Sequence, residues 1–255
     1  MRRQLPTGRL GLHAVTGARV PRLFVETELH PDSNLSLPED AAHHAARVLR
    51  LSEGDAVVLF DGRGGEFEAR LSMPGRGQVA AAIGARREVE RESPLEITLL
   101  QAISSSDKMD FTIQKAVELG VAAIQPVFSE KSVVRLSGER EAKKLLHWRR
   151  IAIAACEQSG RNRIPEVRDP VQLGRYAASA STKILLSPAG AGKLAGLAKG
   201  PLVLAVGPEA GFSAAEEQRL LRDGFAAVRL GPRVLRTETA ALAALAALNA
   251  LAGDF

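Results

Sequence analysis

Two segments of strand length in the last quarter of this chain, the wholly apolar Leu202 to Val206 and the shorter Ala227 to Leu230, each stop at a Gly-Pro pair, Gly207-Pro208 and Gly231-Pro232. A short strand that is apolar without alternation is buried on both faces, which is the situation of a parallel sheet covered by helices. Helix signals follow both loops. Ser213 and Glu216 stand at capping-box spacing. Thr237-Glu238-Thr239 then introduces a final helix in which Leu242, Leu245 and Leu248 recur three apart. Strand, Gly-Pro loop, helix, twice over, predicts an α/β sheet whose strand ends carry loops.

The alternation begins at Pro94. Leu95 to Ile103 reads as a strand, Asp107 to Leu119 as a helix closed by Gly120, and Ala122 to Phe128 as the next strand. A long helix, Glu139 to Ser159, stops at Gly160, and Lys183 to Leu186 is a further strand. Before Pro94 the period is two: Ala56 to Phe60, Glu66 to Leu71 and Gln78 to Ile83, with Asp61-Gly62-Arg63-Gly64-Gly65 turning the first into the second. A strand at Arg22-Leu23-Phe24-Val25 and a helix over Pro38 to Arg50 precede them. The pattern predicts a small antiparallel, barrel-like domain over residues 21–90, a charged linker from Arg86 to Ser93, and an α/β domain over 93–255. Residues 1–20 lack periodicity and are expected to be a disordered extension.

Composition narrows the function classes. No apolar run reaches the roughly 18 to 20 residues needed to cross a bilayer. The single cysteine, Cys156, cannot form an internal disulfide, and no Cys/His pair stands at metal-ligand spacing. A soluble cytoplasmic protein without a metal is expected. The net charge of +5 does not by itself point to nucleic acid, because Arg2, Arg3, Arg9 and Arg19 in the first twenty residues carry most of it. An RNA partner would have to meet local clusters drawn from Lys131, Arg135, Arg161, Arg163, Arg168, Arg229, Arg233 and Arg236.

In an open parallel sheet ligands bind at the carboxyl ends of the strands, where loops and helix N-termini offer free backbone groups. Both Gly-Pro loops occupy that position. They suit a cofactor held by main-chain hydrogen bonds, or they are simply tight connections between packed elements. A nucleoside triphosphate fits poorly, because Gly190-Ala191-Gly192-Lys193 is followed by Leu194 where a P-loop needs Ser or Thr. A dinucleotide fits no better, since no strand runs into G-x-G-x-x-G.

Val206 to Ser213 (VGPEAGFS), Leu230 to Ala240 (LGPRVLRTETA) and Glu157-Gln158-Ser159-Gly160-Arg161, taken together, resemble the ribosomal RNA small subunit methyltransferase E family. So do Lys108-Met109-Asp110, Gln114-Lys115, Glu118 to Val121 and Ser129 to Ser132, with Pro21 to Glu26 and Val48-Leu49-Arg50 further upstream. The resemblance runs over residues 21–255. It implies a PUA-like N-terminal domain, a C-terminal SPOUT domain with a trefoil knot, a homodimer, and S-adenosylmethionine-dependent methylation of uridine N3 in 16S ribosomal RNA or the small ribosomal subunit. This chain departs from the family in having Ser187-Pro188 where His-Pro is frequent, and Ala210-Gly211 where Gly-Gly is usual. A non-catalytic ribosomal RNA-binding or assembly module of the same fold is the competing expectation.

The resemblance puts the cofactor among Leu186, Ala205, Val206, Gly207, Glu209, Gly211, Leu230, Gly231, Leu235 and Thr239. Methylation at uridine N3 requires loss of a proton and support for an anionic ring, and Arg236 at the second loop can supply the fixed cation unless it is tied to Glu238 or Glu209. Glu238 is the candidate base; in the first turn of a helix, however, a carboxylate also serves the helix dipole. Arg47 and Arg50, three apart on the Pro38 helix, with Lys131, Arg161 and Arg163, are candidate RNA contacts. His43 and His44 read as surface or packing residues, and Trp148 as core or interface.

Overall fold

The computed structural model of this chain describes residues 20–75, 78–134 and 136–255; most of the expected extension, and Arg135, lie outside them. The N-terminal sheet has five strands: β1 (Arg22–Phe24), β2 (Asn34–Ser36), β3 (Ala56–Phe60), β4 (Glu66–Gly75) and β5 (Gln78–Arg87), in the order β1-β3-β4-β5-β2. It is not wholly antiparallel, because β1 runs parallel to β3. The hairpin between β3 and β4 is present, Val57 facing Ala69 and Leu59 facing Phe67. Period two does its work here: Val57, Leu59, Phe67, Ala69 and Leu71 turn into one apolar cluster with Leu23 and Ile83.

The helix expected over Pro38 to Arg50 is shorter and less regular. The α-helical part, α1 (Glu39–His43), passes directly into a π-helical turn over His44–Val48, closed by the wide bond from Leu49 N–H to the His44 carbonyl at 2.9 Å. Arg50 lies beyond it in the left-handed region, φ 54°. Arg47 and Arg50 therefore do not share a helical face; the three-residue spacing that suggested it holds only while the backbone stays α-helical.

The C-terminal sheet is parallel throughout: β6 (Ile97–Ala102), β7 (Ala123–Phe128), β8 (Glu166–Val167), β9 (Val171–Gln172), β10 (Thr182–Leu186), β11 (Leu202–Val206) and β12 (Ala226–Val228). The order is β12-β10-β11-β6-β7-β8, with β9 also paired to β7. Every residue of β7 and β11 is buried, as expected of strands covered on both faces. The described residues form five α-helices: α1, then α2 (Ser106–Glu118), α3 (Glu139–Ser159), α4 (Ala214–Arg222) and α5 (Thr237–Ala252). Gly160 ends α3 with φ 93°, the left-handed stop that only glycine adopts without strain. Trp148 on α3 is core, 1% exposed, its indole N–H donated to Asp110 at 3.1 Å.

The two sheets meet through a dense polar seam. Arg22 reaches from β1 to Glu66 at 2.5 Å and to Asn162, and its guanidinium lies 4.9 Å from the Phe60 ring centre. Arg91 bridges Glu66 and the Gly160 carbonyl, at 3.1 and 2.8 Å. Asn162 donates to the Val89 carbonyl at 2.6 Å, and Phe24 N–H donates to Glu157 at 3.0 Å. Phe60, the last residue of β3, is buried in the same apolar cluster as Ile97, Trp148 and Cys156, so the two cores touch.

Candidate cofactor site

The carboxyl ends of β10, β11 and β12 open on one cavity. Its walls are the end of β10 and the loop after it (Leu186, Ser187, Pro188), the first Gly-Pro loop (Gly207, Pro208, Glu209, Gly211, Phe212), and Val228, Arg229, Leu230, Arg233, Val234 and Leu235 at and after the end of β12, with Thr237 and Ala240 of α5 behind and Glu217 of α4 to one side. Local sequence builds each wall. Gly211, at φ 67°, closes a turn in which its N–H donates to the Pro208 carbonyl at 2.8 Å, and a Cβ at Gly207 would stand 2.8 Å from the Phe212 nitrogen. Ser213 then caps α4 through the full capping box with Glu216.

The loops are held from outside as well. Glu209 accepts from Lys108 Nζ at 3.0 Å and from Ser105 N–H at 3.2 Å. Burial works to raise the Glu209 pKa, but these donors and its own backbone N–H outweigh it and keep the carboxyl below its ordinary range. Lys131 lays its ammonium on the carbonyls of Ala210 and Phe212, at 3.3 and 3.1 Å. Glu216 joins Ser129 Oγ at 2.9 Å and Glu130 N–H at 2.8 Å to the start of α4. Ser187 is buried: its hydroxyl donates to Glu217 at 3.3 Å and accepts from Ala189 N–H at 3.3 Å, and its own N–H donates to the Val228 carbonyl at 3.0 Å.

Six of the ten residues expected at a cofactor line this cavity: Leu186, Gly207, Glu209, Gly211, Leu230 and Leu235. Ala205 and Val206 are sealed inside β11, while Gly231 and Thr239 are exposed outside the walls. Sequence reasoning passed over Glu217, Phe212 and Thr237. The capping-box neighbour and the helix-entry residue were visible as signals, but were assigned only to helix starts. The arginines on the wall are Arg229 and Arg233; Arg236 stands next to it as the exposed N-cap of α5. Among the described residues Arg236 makes no ion pair with Glu209 or Glu238. Glu238 is half-buried in the first turn of α5, and its Oε2 is enclosed without a hydrogen-bond partner among the described residues.

Arg161 is not a free cation. It is 4% exposed; Nε meets Glu92 at 3.0 Å, Nη2 meets Glu92 again, and Nη1 donates to the carbonyls of Val117 and Val121 at 2.9 Å each. With every donor group engaged inside the protein, it cannot also hold a phosphate, so the expectation of an RNA contact here is corrected. Arg163 is exposed and paired with Glu90 at 2.8 Å, beside the bridge that joins it to Arg63 across the seam. A larger cleft, about 570 Å³, opens between α1 and α3 at Phe24, His43, His44, Arg150 and Glu157. The end of β1 at Phe24 is on its wall, but the Phe24 N–H is already donated to Glu157, and no glycine lines the cleft to bring further backbone groups to a cofactor.

The chain as a whole is similar to known proteins. Residues 91–249 match a model described as an RNA methyltransferase domain, and residues 37–83 one described as an RNA methyltransferase PUA domain. A ribosomal RNA small subunit methyltransferase E from Buchnera aphidicola is 35% identical over 241 residues, 92% of this chain and 98% of the relative. The solved structure of a putative methyltransferase from Legionella pneumophila, in complex with bound S-adenosylmethionine, superposes with a TM-score of 0.89 at 41% identity, over 93% of this chain and 100% of that one. A ribosomal RNA small subunit methyltransferase E from Neisseria gonorrhoeae, bound to S-adenosyl methionine, gives 0.86 at 44%, again over 93% and 100%. This chain belongs to the ribosomal RNA small subunit methyltransferase E family.

Proposed function

We propose that this chain methylates N3 of a uridine in 16S ribosomal RNA, using S-adenosylmethionine bound in the cavity at the ends of β10, β11 and β12. The observation that carries the reading is that cavity: two Gly-Pro loops and a helix start converge there, and the same fold in two relatives at 41% and 44% identity holds S-adenosylmethionine. The residues present suit the group. Leu186, Leu230, Leu235 and Phe212 give apolar surface for an adenine ring, and the carboxylates of Glu209 and Glu217 suit a ligand that carries positive charge. When bound, it supplies an electrophilic methyl group.

The protein's part is positioning and charge. Uridine N3 attacks only after losing its proton, and the negative charge then spreads to the ring oxygens. Arg236, exposed beside the cavity and free of a carboxylate partner among the described residues, is placed to face that charge with a planar, permanently charged group. Glu238, two residues on, is the candidate acceptor of the proton. Arg47, Arg50, Lys131 and Arg163 are exposed and belong to the RNA-facing surface in this reading. A homodimer, a cytoplasmic location and a trefoil knot are parts of the same proposal. The knot is supported by residues 229–236, which leave the edge strand β12 and reach Thr237, bonded both to Gly207 after β11 and to Gln101 on β6.

The test is incubation of small ribosomal subunits and of free 16S RNA with the protein and labelled S-adenosylmethionine, followed by mass mapping. Label on one uridine, at N3, is the expected result. Saturable cofactor and RNA binding without transfer would favour the non-catalytic module.

A further inference from the structure

Gln101 is fully buried near the carboxyl end of β6, in a strand otherwise apolar but for one threonine. A buried amide is costly unless it is hydrogen-bonded. Gln101 Nε2 donates to the Ala102 carbonyl and to Thr237 Oγ1, each at 3.0 Å. The Ala102 carbonyl fixes which way the amide points, since the flipped group would set an oxygen against an oxygen. Thr237 Oγ1 lies 2.6 Å from the Gly207 carbonyl oxygen. A hydroxyl has one proton to give. The amide already supplies the proton between Gln101 and Thr237, so the hydroxyl proton is committed to Gly207 and the relay runs in one direction.

Both Gly207 and Thr237 line the cavity, whereas Gln101 does not. The turn that begins at Gly207 is too tight to absorb a rotated peptide locally, as the 2.8 Å approach of a Cβ there to the Phe212 nitrogen indicates. Whatever orients the Gly207 carbonyl therefore orients the wall through Phe212. We infer that Gln101 and Thr237 are positioning residues for the cofactor: the directed bonds from β6 through the Thr237 hydroxyl hold the Gly207 peptide, and with it the first Gly-Pro loop, in the form that accepts S-adenosylmethionine. The inference rests on the reading of this cavity as the cofactor site.

Equilibrium dialysis with labelled S-adenosylmethionine between pH 5 and 8, with Michaelis constants for cofactor and RNA, tests it on the full chain. Thr237→Val keeps the shape and removes the hydroxyl; cofactor affinity falls roughly ten-fold, the scale of a buried carbonyl left without its donor, while the Michaelis constant for RNA stays put. Thr237→Ser returns most of the loss. Gln101→Glu is the sharper probe. As a carboxylate it accepts the Thr237 proton and takes it from Gly207; once protonated it donates as the amide did, so its affinity relative to the unaltered protein rises as pH falls. Because a buried carboxylate destabilises the fold wherever it stands, the melting temperature is read at each pH, and a residue that merely fills space gives an affinity ratio that does not change with pH over the range in which the variant is fully folded. Failure of the unaltered protein to bind the cofactor at all would remove the site reading and the relay together. Normal binding by the unaltered protein, with Thr237→Val within two-fold of it or a Gln101→Glu ratio flat with pH, overturns the relay alone. If Thr237→Val does not fold, the Gln101→Glu ratio decides.

Discussion

Arg161 and Glu92 form a two-point ion pair at the seam between the sheets, with Nε at 3.0 Å from one carboxylate oxygen, and the third arm of the guanidinium spans the carbonyls of Val117 and Val121. Breaking such a pair from one side leaves a half-enclosed carboxylate and two carbonyls without donors. Arg161→Ala is expected to cost about 3 kcal/mol of stability, read as a lower midpoint in urea. Arg161→Lys recovers little, because a point charge cannot occupy four acceptors in a plane. Below its melting temperature, Arg161→Ala should bind RNA as tightly as the unaltered protein; a large loss of RNA affinity in a folded sample would restore the phosphate role.

Arg236 offers the opposite profile. It is exposed and has no carboxylate partner among the described residues, so Arg236→Ala should leave the melting temperature and cofactor affinity unchanged. The single-turnover transfer rate should fall by roughly 10² if its cation meets the developing charge. A near-normal rate with both ligands saturating ends that role.

Gly211 combines φ 67° with open space where a side chain would project. A Cβ at Gly211 would meet no atom within 4 Å, yet the branched residue of Gly211→Val is strained in that backbone region, by about 1 kcal/mol or more. Unfolding should shift modestly, and S-adenosylmethionine titration should show at least ten-fold weaker binding as the turn opens into the cavity. Unchanged affinity would support the plain-turn reading of this loop.

Acid should loosen the seam first. Burial pushes the Glu66 pKa up, but hydrogen bonds from Arg91 and Arg22 and their charges more than offset it, leaving the carboxyl below its ordinary value of 4.5. A carboxyl whose folded pKa is depressed stabilises the protein above its unfolded pKa and loses that contribution as pH falls through the folded one. Glu66→Gln is therefore expected to be less stable than the unaltered protein at pH 7, with the gap closing as pH drops below about 4.5. A gap independent of pH in denaturant titrations would mean that charge is not what Glu66 contributes.

What could be read from sequence depended on whether the deciding partner was near in the chain. The ends of α3, β11 and α4 were legible because Gly160, Gly207 and the Ser213-Glu216 pair act within a few residues of themselves. The helix after Pro38 was overextended, because nothing in its side chains announces a π-helical turn or the left-handed Arg50. Arg161 was misplaced because an arginine just past a helix end looks the same whether it faces solvent or a carboxylate 69 residues upstream. Gln101 left one trace, a polar residue in a strand that is otherwise almost wholly apolar, but its partner Thr237 is 136 residues away. The candidate site was legible as two loops and not as walls, since which side chains of a loop turn inward is decided by packing against α4 and α5.

The shared burial of Phe60 with Ile97 and Trp148 has a mechanical meaning. Arg22, Arg91 and Asn162 lash the same junction, and the segment that joins β5 to β6, residues 88–96, contains no glycine and is tied down through Val89, Arg91 and Glu92. A junction so packed favours a fixed span: in the RNA-methylating reading, the distance from the N-terminal sheet to the Gly-Pro loops is set at folding. A target that does not present its two points at that separation must itself bend to be reached.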